Sequence, residues 1–587
     1  MKFYSFSFLL ICILLISCSK KEDDLPLIDE TNTPPVITFI SPKEGSTFAP
    51  GDEITVSISA SASSNITLVD FIIQGQSKGY LETPPFNYIW DTTGEQEGTY
   101  EITVEVTDEN NLTTKQSINI NIAKPQYSIS FDGIIKCRQN NILLPEITVL
   151  LEDKFVSSNS NGEYNIETQF NENTSALRIE SNDSYIGTNY GFDLSDNKKE
   201  TVNLYLYKKQ TSINKKTNNF IKGVSLFDAG PWMGQDLFPN AFNSTFSRLS
   251  NMNANLFTVF DPVFIQAVGD DSVKMSSTAN TQFEWNMLSA SQYEILTDLA
   301  ADKNLNYMYW FGVWPQDEEQ LSGKSFNSIV FGNSILSDRF WEDWFNEYSR
   351  ILTTYAKIAE AKGVPYISLG HGLNYATSPS KFSSTNLYHS LWTKLIQDIK
   401  EVYSGQIIYF GTNRPFDALN YEGGTEIEYY EDSGYTTTFK NLFDMFGIII
   451  SNITTTQNPN ISEIKKSVTD ILSRYEDFDK PIILWIWAPS VDGAANRYGH
   501  LEPVIDVSSA SSNFEVDFYE QADIYEGIFE AVNESNVNIS GIISHGYMYY
   551  NNFKKYEPRN MQTAFEKAAS TRNKPAEEII KYWFEKL

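Results

Sequence analysis

Cysteine is scarce: the 587 residues hold three, Cys12, Cys18 and Cys137. The first two lie in or at the end of an N-terminal apolar run. The body of the chain therefore keeps Cys137 alone, no internal disulfide is expected, and stability has to come from packed cores. Basic residues are few as well, 44 against 75 acidic, for a net charge of −31. That balance excludes nucleic acid, whose phosphates need a basic footprint, and it suits neutral or cationic ligands. The four histidines, His371, His389, His500 and His545, show no HExxH pair or other ligand spacing, so neither a metal nor another cofactor is expected. A G-x-S-x-G nucleophile elbow is missing too. Beyond the first residues, no apolar stretch is long enough to span a bilayer.

What is present begins at the N-terminus. Met1 and Lys2 give a minimal positive region, and Phe3 to Ile16 is almost wholly apolar. This is the length of a signal-peptide core and too short for a spanning helix. Leu15-Ile16-Ser17-Cys18 resembles a lipobox, which makes residues 1–17 a signal peptide and Cys18 the lipid-bearing residue. Ser19-Lys20-Lys21-Glu22-Asp23-Asp24 resembles the signal that sends some Gram-negative lipoproteins to the outer face of the outer membrane. The resemblance implies a surface-exposed outer-membrane lipoprotein whose only membrane contact is its lipid. Residues 18–34 form the tether.

Short alternating runs follow. Tyr100, Ile102, Val104 and Val106 alternate with Glu101, Thr103, Glu105 and Thr107, a strand with one buried and one wet face. With similar runs at 36–40, 53–59, 66–73 and 116–122, they make a sandwich of about seven strands over 35–124. Pro84-Pro85-Phe86-Asn87-Tyr88-Ile89-Trp90-Asp91-Thr92, Gly98-Thr99-Tyr100 and Asp108 resemble bacterial Ig-like modules. Residues 125–208 read as a second β-sandwich. Gly133-Ile134-Ile135, Leu144-Pro145-Glu146-Ile147-Thr148-Val149-Leu150 and Ser160-Asn161-Gly162-Glu163-Tyr164-Asn165-Ile166 resemble the carboxypeptidase-regulatory-like module. The Asn161-Gly162 pair signals a tight turn. The polar 209–219 stretch is the linker to the rest, and because it offers little apolar surface, residues 215–587 are expected to fold without the N-terminal modules.

From 220 to 587 the texture changes, and ten of the eleven tryptophans lie after residue 230. Apolar runs at 221–227, 255–260, 306–313, 365–369, 406–411, 446–450, 481–487 and 540–547 alternate with helical patterns such as 338–362, 386–402, 461–475 and 517–533. Eight strands alternating with helices predict a (β/α)8 TIM barrel. No G-x-G-x-x-G follows the first strand, against a doubly wound sheet. In such a barrel the reacting groups sit at the C-terminal strand ends. Those ends offer Asp228 and Trp232, Asp261, Trp310 with Trp314 and Asp317, and His371 with Asn374. The later ones offer Asn413 with Asp417, Asn452, Trp485 with Trp487 and Asp492, and His545 with Tyr547. Indoles that pack on the C–H face of a pyranose, beside fixed polar partners for its hydroxyls, are what a sugar site requires.

Several segments resemble the barrel of glycoside hydrolase family 113, of the β-mannanase-type clan A. They are Lys222-Gly223-Val224, Phe340-Trp341-Glu342-Asp343-Trp344-Phe345-Asn346-Glu347-Tyr348, Val402-Tyr403-Ser404-Gly405 and Phe443-Asp444-Met445-Phe446-Gly447-Ile448. Lys480-Pro481-Ile482-Ile483, Asp492-Gly493-Ala494-Ala495 and the stretch with Asp517, Glu520, Gln521, Ala522 and Tyr525 belong to the same likeness. The resemblance implies an acid/base glutamate after strand four and a nucleophile glutamate ending strand seven. Here Gly372 and Ile486 fill those places. Retaining hydrolysis needs two carboxylates about 5 Å apart, so the family's activity does not carry over. Two readings remain. In one, a glycosidase uses relocated carboxylates, Asp228, Asp261 and Asp317, on consecutive strands; inverting chemistry tolerates roughly 6.5–9.5 Å between them. In the other, a non-catalytic barrel binds glycan at the cell surface. Either way the expected partner is an extracellular poly- or oligosaccharide, held by Trp232, Trp310, Trp314, His371, Asn374, Asn413, Trp485, Trp487, Asp492 and His545 of a monomeric chain.

Overall fold

The computed structural model describes residues 33–124, 127–170, 174–193, 197–217, 219–226, 240–267, 273–276, 288–315, 336–370, 373, 376, 379–411, 437–456, 458–496, 515–547 and 567–587. They fall into two units, one ending at Pro125 and one running from Gln126 to the C-terminus.

The first unit is an Ig-like sandwich. Val36–Ser41, Glu53–Ser61 and Asn87–Asp91 form one sheet; Thr47–Phe48, Thr113–Ile122, Gly98–Asp108, Ile66–Ile73 and Gln76–Leu81 form the other. The alternation expected for 100–107 holds: Ile102, Val104 and Val106 are buried against Val56, Phe71, Trp90 and Ile120. Asp108 ends its strand by accepting the N–H groups of Asn110 and Leu112, both at 2.9 Å.

The second unit opens with two more facing sheets. One holds Lys154–Ser157, Thr148–Leu151, Thr174–Ile179 and Thr188–Asp193; the other holds Glu163–Phe170, Tyr127–Cys137, Leu204–Lys208 and Tyr185–Ile186. Ile129, Phe131, Ile135 and Leu204 from the second sheet meet Val149, Leu151, Leu177 and Phe192 from the first. Gly162 takes the turn expected there, with φ +72. Cys137 is buried and carries no disulfide.

The barrel follows. Its strands are β1 (Ile221–Leu226), β2 (Leu256–Ala267), β3 (Asn306–Pro315), β4 (Tyr366–Gly370), β5 (Gln406–Gly411), β6 (Met445–Ile450), β7 (Ile482–Ile486) and β8 (Ile539–Tyr547). Each pairs in parallel with the next, and β8 pairs with β1, which closes the sheet. The long helices are α1 (Asn240–Asn251), α2 (Ala290–Ala301), α3 (Asp338–Lys362), α4 (Thr385–Lys400), α5 (Ile461–Ser473), α6 (Phe518–Glu534) and α7 (Pro575–Lys586). Local chemistry sets their ends: Ser337, Ser384 and Asn460 accept N–H groups at their N-caps, and Gly363 closes α3 in the left-handed region.

Strand residues sort by parity into two cores. Val224, Phe257, Tyr309, Ile367, Ile407, Ile448, Leu484 and Ile542 face the helices. Ile221, Leu256, Met308, Trp310, Ile408, Phe410, Ile449, Ile483, Trp485 and Ile543 fill the lumen. Small residues make room for large ones. A Cβ at Gly447 would stand 1.8 Å from ring carbons of Phe410.

Strand two departs from expectation. The apolar run predicts an end at 260, yet the strand continues to Ala267, pairs with β3 as far as Ile265 opposite Pro315, and returns as Val273–Ser276. The extension is stabilised by Val263, Ile265, Val273 and Met275, all in the outer core. Among the described residues β1 accompanies β2 only as far as Val259.

The 209–219 segment joins the sandwich to the barrel in sequence and lies fastened along α6 and α7. The Gln210 N–H donates to Tyr582 Oη at 3.0 Å, and Asn214 makes two 2.7 Å bonds to Asn533. The sandwich itself docks on the same helices through Arg138 and Asp523 and through Tyr205 and Tyr519.

Candidate functional site

Alternation along β7 decides which of its residues face the lumen. Ile483, Trp485 and Trp487 point inward, while Leu484 and Ile486 belong to the outer core. Trp485 is fully buried and meets Trp310 from the opposite wall, ring centroids 4.3 Å apart, with Phe410 at 4.7 Å. These three rings form an aromatic floor that closes the lumen. Two residues further along β7, one step of about 6.6 Å nearer the C-terminal mouth, Trp487 stacks on His545 of β8. Their rings are 4.2 Å apart and inclined by only 14°. His545 is partly exposed. A flat aromatic pair thus stands above the floor on the β7–β8 wall, a surface suited to the apolar face of a sugar ring.

Polar lining is sparse. Ser225 of β1 and Ser368 of β4 are fully buried on the lumen side; Thr258 of β2 donates to the Met308 carbonyl at 2.8 Å. Gly370, with φ +143, ends β4 where a Cβ would stand 2.0 Å from the Phe410 carbonyl oxygen, so only glycine fits before the chain leaves the strand. Among the described residues, no carboxylate lies on the lumen side of any of the eight strands.

Beyond β7 the chain is clamped from below. The Glu520 carboxylate, 3% exposed, accepts the Gly493 N–H at 2.6 Å and the Ala495 N–H at 2.9 Å. Burial pushes its carboxyl above the ordinary range, and those two N–H groups pull it partly back. The Ala495 carbonyl in turn receives the N–H groups of Ile453 and Thr454, after β6, at 2.7 and 3.1 Å. Gln521 Nε2 donates to the carbonyls of Ala488 and Ala569 at 2.8 and 3.1 Å. Asp492, Asp517 and Glu520 bring carboxylate oxygens within 4.8 Å of one another, the one such group among the described residues. Its donors are of the kind a hard cation takes, but both Glu520 oxygens already serve the loop and Asp517 caps α6.

Of the residues singled out from sequence, Trp310, Trp485, Trp487 and His545 come together in the lumen, and Asp492 lies on the loop after β7. Asn452 follows β6 in the left-handed region, with φ +47. Tyr547 is drawn into structure: its hydroxyl donates to Glu577 at 2.7 Å, where Arg248 makes two 2.6 Å bonds. Asp261 lies within β2, in register with Phe311, and Trp314 lies within β3; their side chains are outside the described residues. So are Asp228, Trp232, Asp317, His371, Gly372, Asn374, Asn413, Asp417 and Cys18. Phe410 is not among the residues singled out from sequence; the 406–411 run puts it on one face with Ile408, and the closed sheet turns that face to the lumen. The anchoring roles of Glu520 and Gln521 have no local signature, because each partner lies on another loop.

Residues 321–538 match the sequence model of Glycoside Hydrolase Family 113. Residues 35–104 match that of a bacterial Ig domain. The barrel of the chain is thus of glycoside-hydrolase type, preceded by an Ig-like domain. Similar solved structures include a complex of a family 113 β-1,4-mannanase, 17% identical, covering 63% of this chain and 99% of that one at a TM-score of 0.42. A family 113 β-mannanase from Alicyclobacillus acidocaldarius is 16% identical over 62% and 97%, with a TM-score of 0.41. An endo-1,4-β-D-mannanase from Thermotoga petrophila is 12% identical over 62% and 99%, with a TM-score of 0.37. No curated protein matches the chain.

Proposed function

We propose that this chain is a cell-surface lipoprotein whose family 113 barrel binds extracellular polysaccharide without cleaving it. The observation that carries the reading is the lumen face of β7. The family resemblance puts a nucleophile at the end of this strand, and Ile486 stands in its place, pointing at the helices. Its neighbours on the lumen side are Trp485 and Trp487. A slip of one residue in either direction still meets an indole, so no carboxylate is available there for covalent or water-activating chemistry. What remains, above the buried aromatic floor, is the Trp487–His545 pair, which suits stacking on sugar. The anchor at Cys18 and the acidic net charge of −31 suit a protein held outside the cell that meets uncharged glycan.

The test uses the purified full chain in affinity gels containing a polysaccharide panel, β-1,4-mannan among them, with chromatography of any products. Retardation without released sugar is expected. Product release that drops at least about 10²-fold in Asp261→Asn or Asp317→Asn, while retardation persists, would instead assign a general acid or base to the first strands. Absence of both retardation and product would remove the barrel mouth as a glycan site.

A further inference from the structure

Helix α6 is buried on every side: all its residues except Glu530 and Glu534 are shielded from solvent, although it carries Glu520, Gln521, Asp523 and Glu526. Its faces do three different jobs. Tyr519, Asp523, Glu526 and Glu530, spaced by four, three and four residues, form one stripe, and it faces the second sandwich and the 209–219 segment. Arg138 grips Asp523 with three bonds of 3.1, 3.0 and 2.7 Å, and Tyr207 donates to the same carboxylate at 2.7 Å. The Tyr205 N–H donates to Tyr519 Oη at 3.0 Å, and the Arg138 guanidinium lies 5.0 Å from the Tyr205 ring centre. A second face packs on α5, where a Cβ on Gly527 would stand 2.6 Å from Ile464. Toward the barrel, Tyr525 shares a 2.7 Å bond with Ser544 of β8. The N-terminal turn, through Glu520 and Gln521, holds the loop after β7, and through it the residues after β6 and the 568–569 stretch after β8.

Resting on the glycan-site reading above, we propose that α6 couples the second sandwich to the barrel mouth. Arg138, Asp523 and Glu520 are then positioning residues for the β6–β8 side of the site. Tyr519 and Asp523, held by the sandwich, flank Glu520 and Gln521 on the same helical turn. A shift of that turn has to move the carboxylate and amide on which residues 488–495 hang. The sandwich is therefore part of the frame of the site rather than a spacer. Loops that carry a site are held by the elements beneath them, and local opening reports that hold directly.

Hydrogen exchange on the full chain tests the coupling without a ligand. Arg138→Ala is expected to raise exchange of the Gly493 and Ala495 amides by on the order of tenfold, with Arg138→Lys restoring part of the protection. Glu520→Gln serves as the direct control. If Arg138→Ala fails to fold, Tyr519→Phe, which removes one hydroxyl and keeps the ring, is expected to show the same change in smaller measure. Faster exchange confined to the sandwich and to α6 beyond Asp523, with 493–495 unchanged, overturns the proposal. A parallel gel assay with whichever panel polysaccharide retards the wild type should show weaker retardation of Arg138→Ala. Should no polysaccharide retard the wild type, the glycan reading fails, while the exchange result still decides the coupling.

Discussion

Trp485 and Trp487 are two residues apart on one strand face and are expected to respond differently to truncation. Trp485 is enclosed by Trp310 and Phe410, so Trp485→Ala should cost about 3–5 kcal/mol of stability through the cavity it leaves, read as a lower urea midpoint. Trp487 stands nearer the mouth against His545, and Trp487→Ala should cost about 1–3 kcal/mol of glycan binding with little change in that midpoint. Equal loss of binding in both variants with stability intact would mean that the floor itself is the contact surface. Glu526 makes a different prediction. It is fully buried and accepts the Trp583 Nε1–H at 2.7 Å; burial pushes its carboxyl up to about 8. A raised folded value means that the native state holds the proton that the unfolded chain has released. Its contribution is therefore present at low pH and lost as pH rises from the ordinary carboxyl range toward 8, with a slope of at most about 1.4 kcal/mol per pH unit. Glu526→Gln should flatten that part of the pH–stability profile measured by urea unfolding, and an unchanged slope would show that another group sets it.

The elements were largely legible in the chain. The 3.6-residue pattern over 338–362 is the helix Asp338–Lys362 itself, and the apolar runs mark all eight strands. Parallel strands buried on both faces read as continuous apolar stretches, which is why they stood out. What that reading does not contain is which elements cover one another. The 209–219 stretch is polar and reads as a linker; its amides and side chains instead pair with Tyr582 of α7 and with Glu530 and Asn533 of α6. A barrel cut off at residue 215 leaves Asp523 without Arg138 and Tyr207, and Tyr519 without the Tyr205 N–H. Residues 215–587 are accordingly expected to aggregate on expression while 126–587 remains monodisperse by size-exclusion chromatography. A well-behaved 215–587 fragment would show that this interface is dispensable for folding.

For the whole molecule, the N-terminal features lie outside the described residues and rest on sequence. Cys18→Ala should leave the protein soluble or as an uncleaved precursor, measured by membrane fractionation; partition at the wild-type level would remove the lipid anchor. No helix among the described residues is long and apolar enough to cross a membrane, and the glycan surface proposed here sits in the barrel.

Composition and periodicity were sufficient, by themselves, for the N-terminal β-sandwich, the eight barrel strands and the tryptophan-rich second half, because burial writes a period of 2 or 3.6 into the residues that undergo it. They also placed Trp485 and Trp487 on one face with Ile486 on the other. Parity is a relation within a strand and does not say which face is the lumen. Only closure of the sheet decided that, by bringing Trp485 against Trp310 from the far wall. Only the tertiary contacts of α6 with the docked sandwich, with α7 and with the loop after β7 explain why a helix with four acids and a glutamine among its first thirteen residues is so largely buried. Glu520 and Gln521 bond to backbone 25 to 48 positions away and Glu526 to Trp583, whereas Asp523 takes Arg138, 385 positions away, and no local pattern encodes contacts of that range.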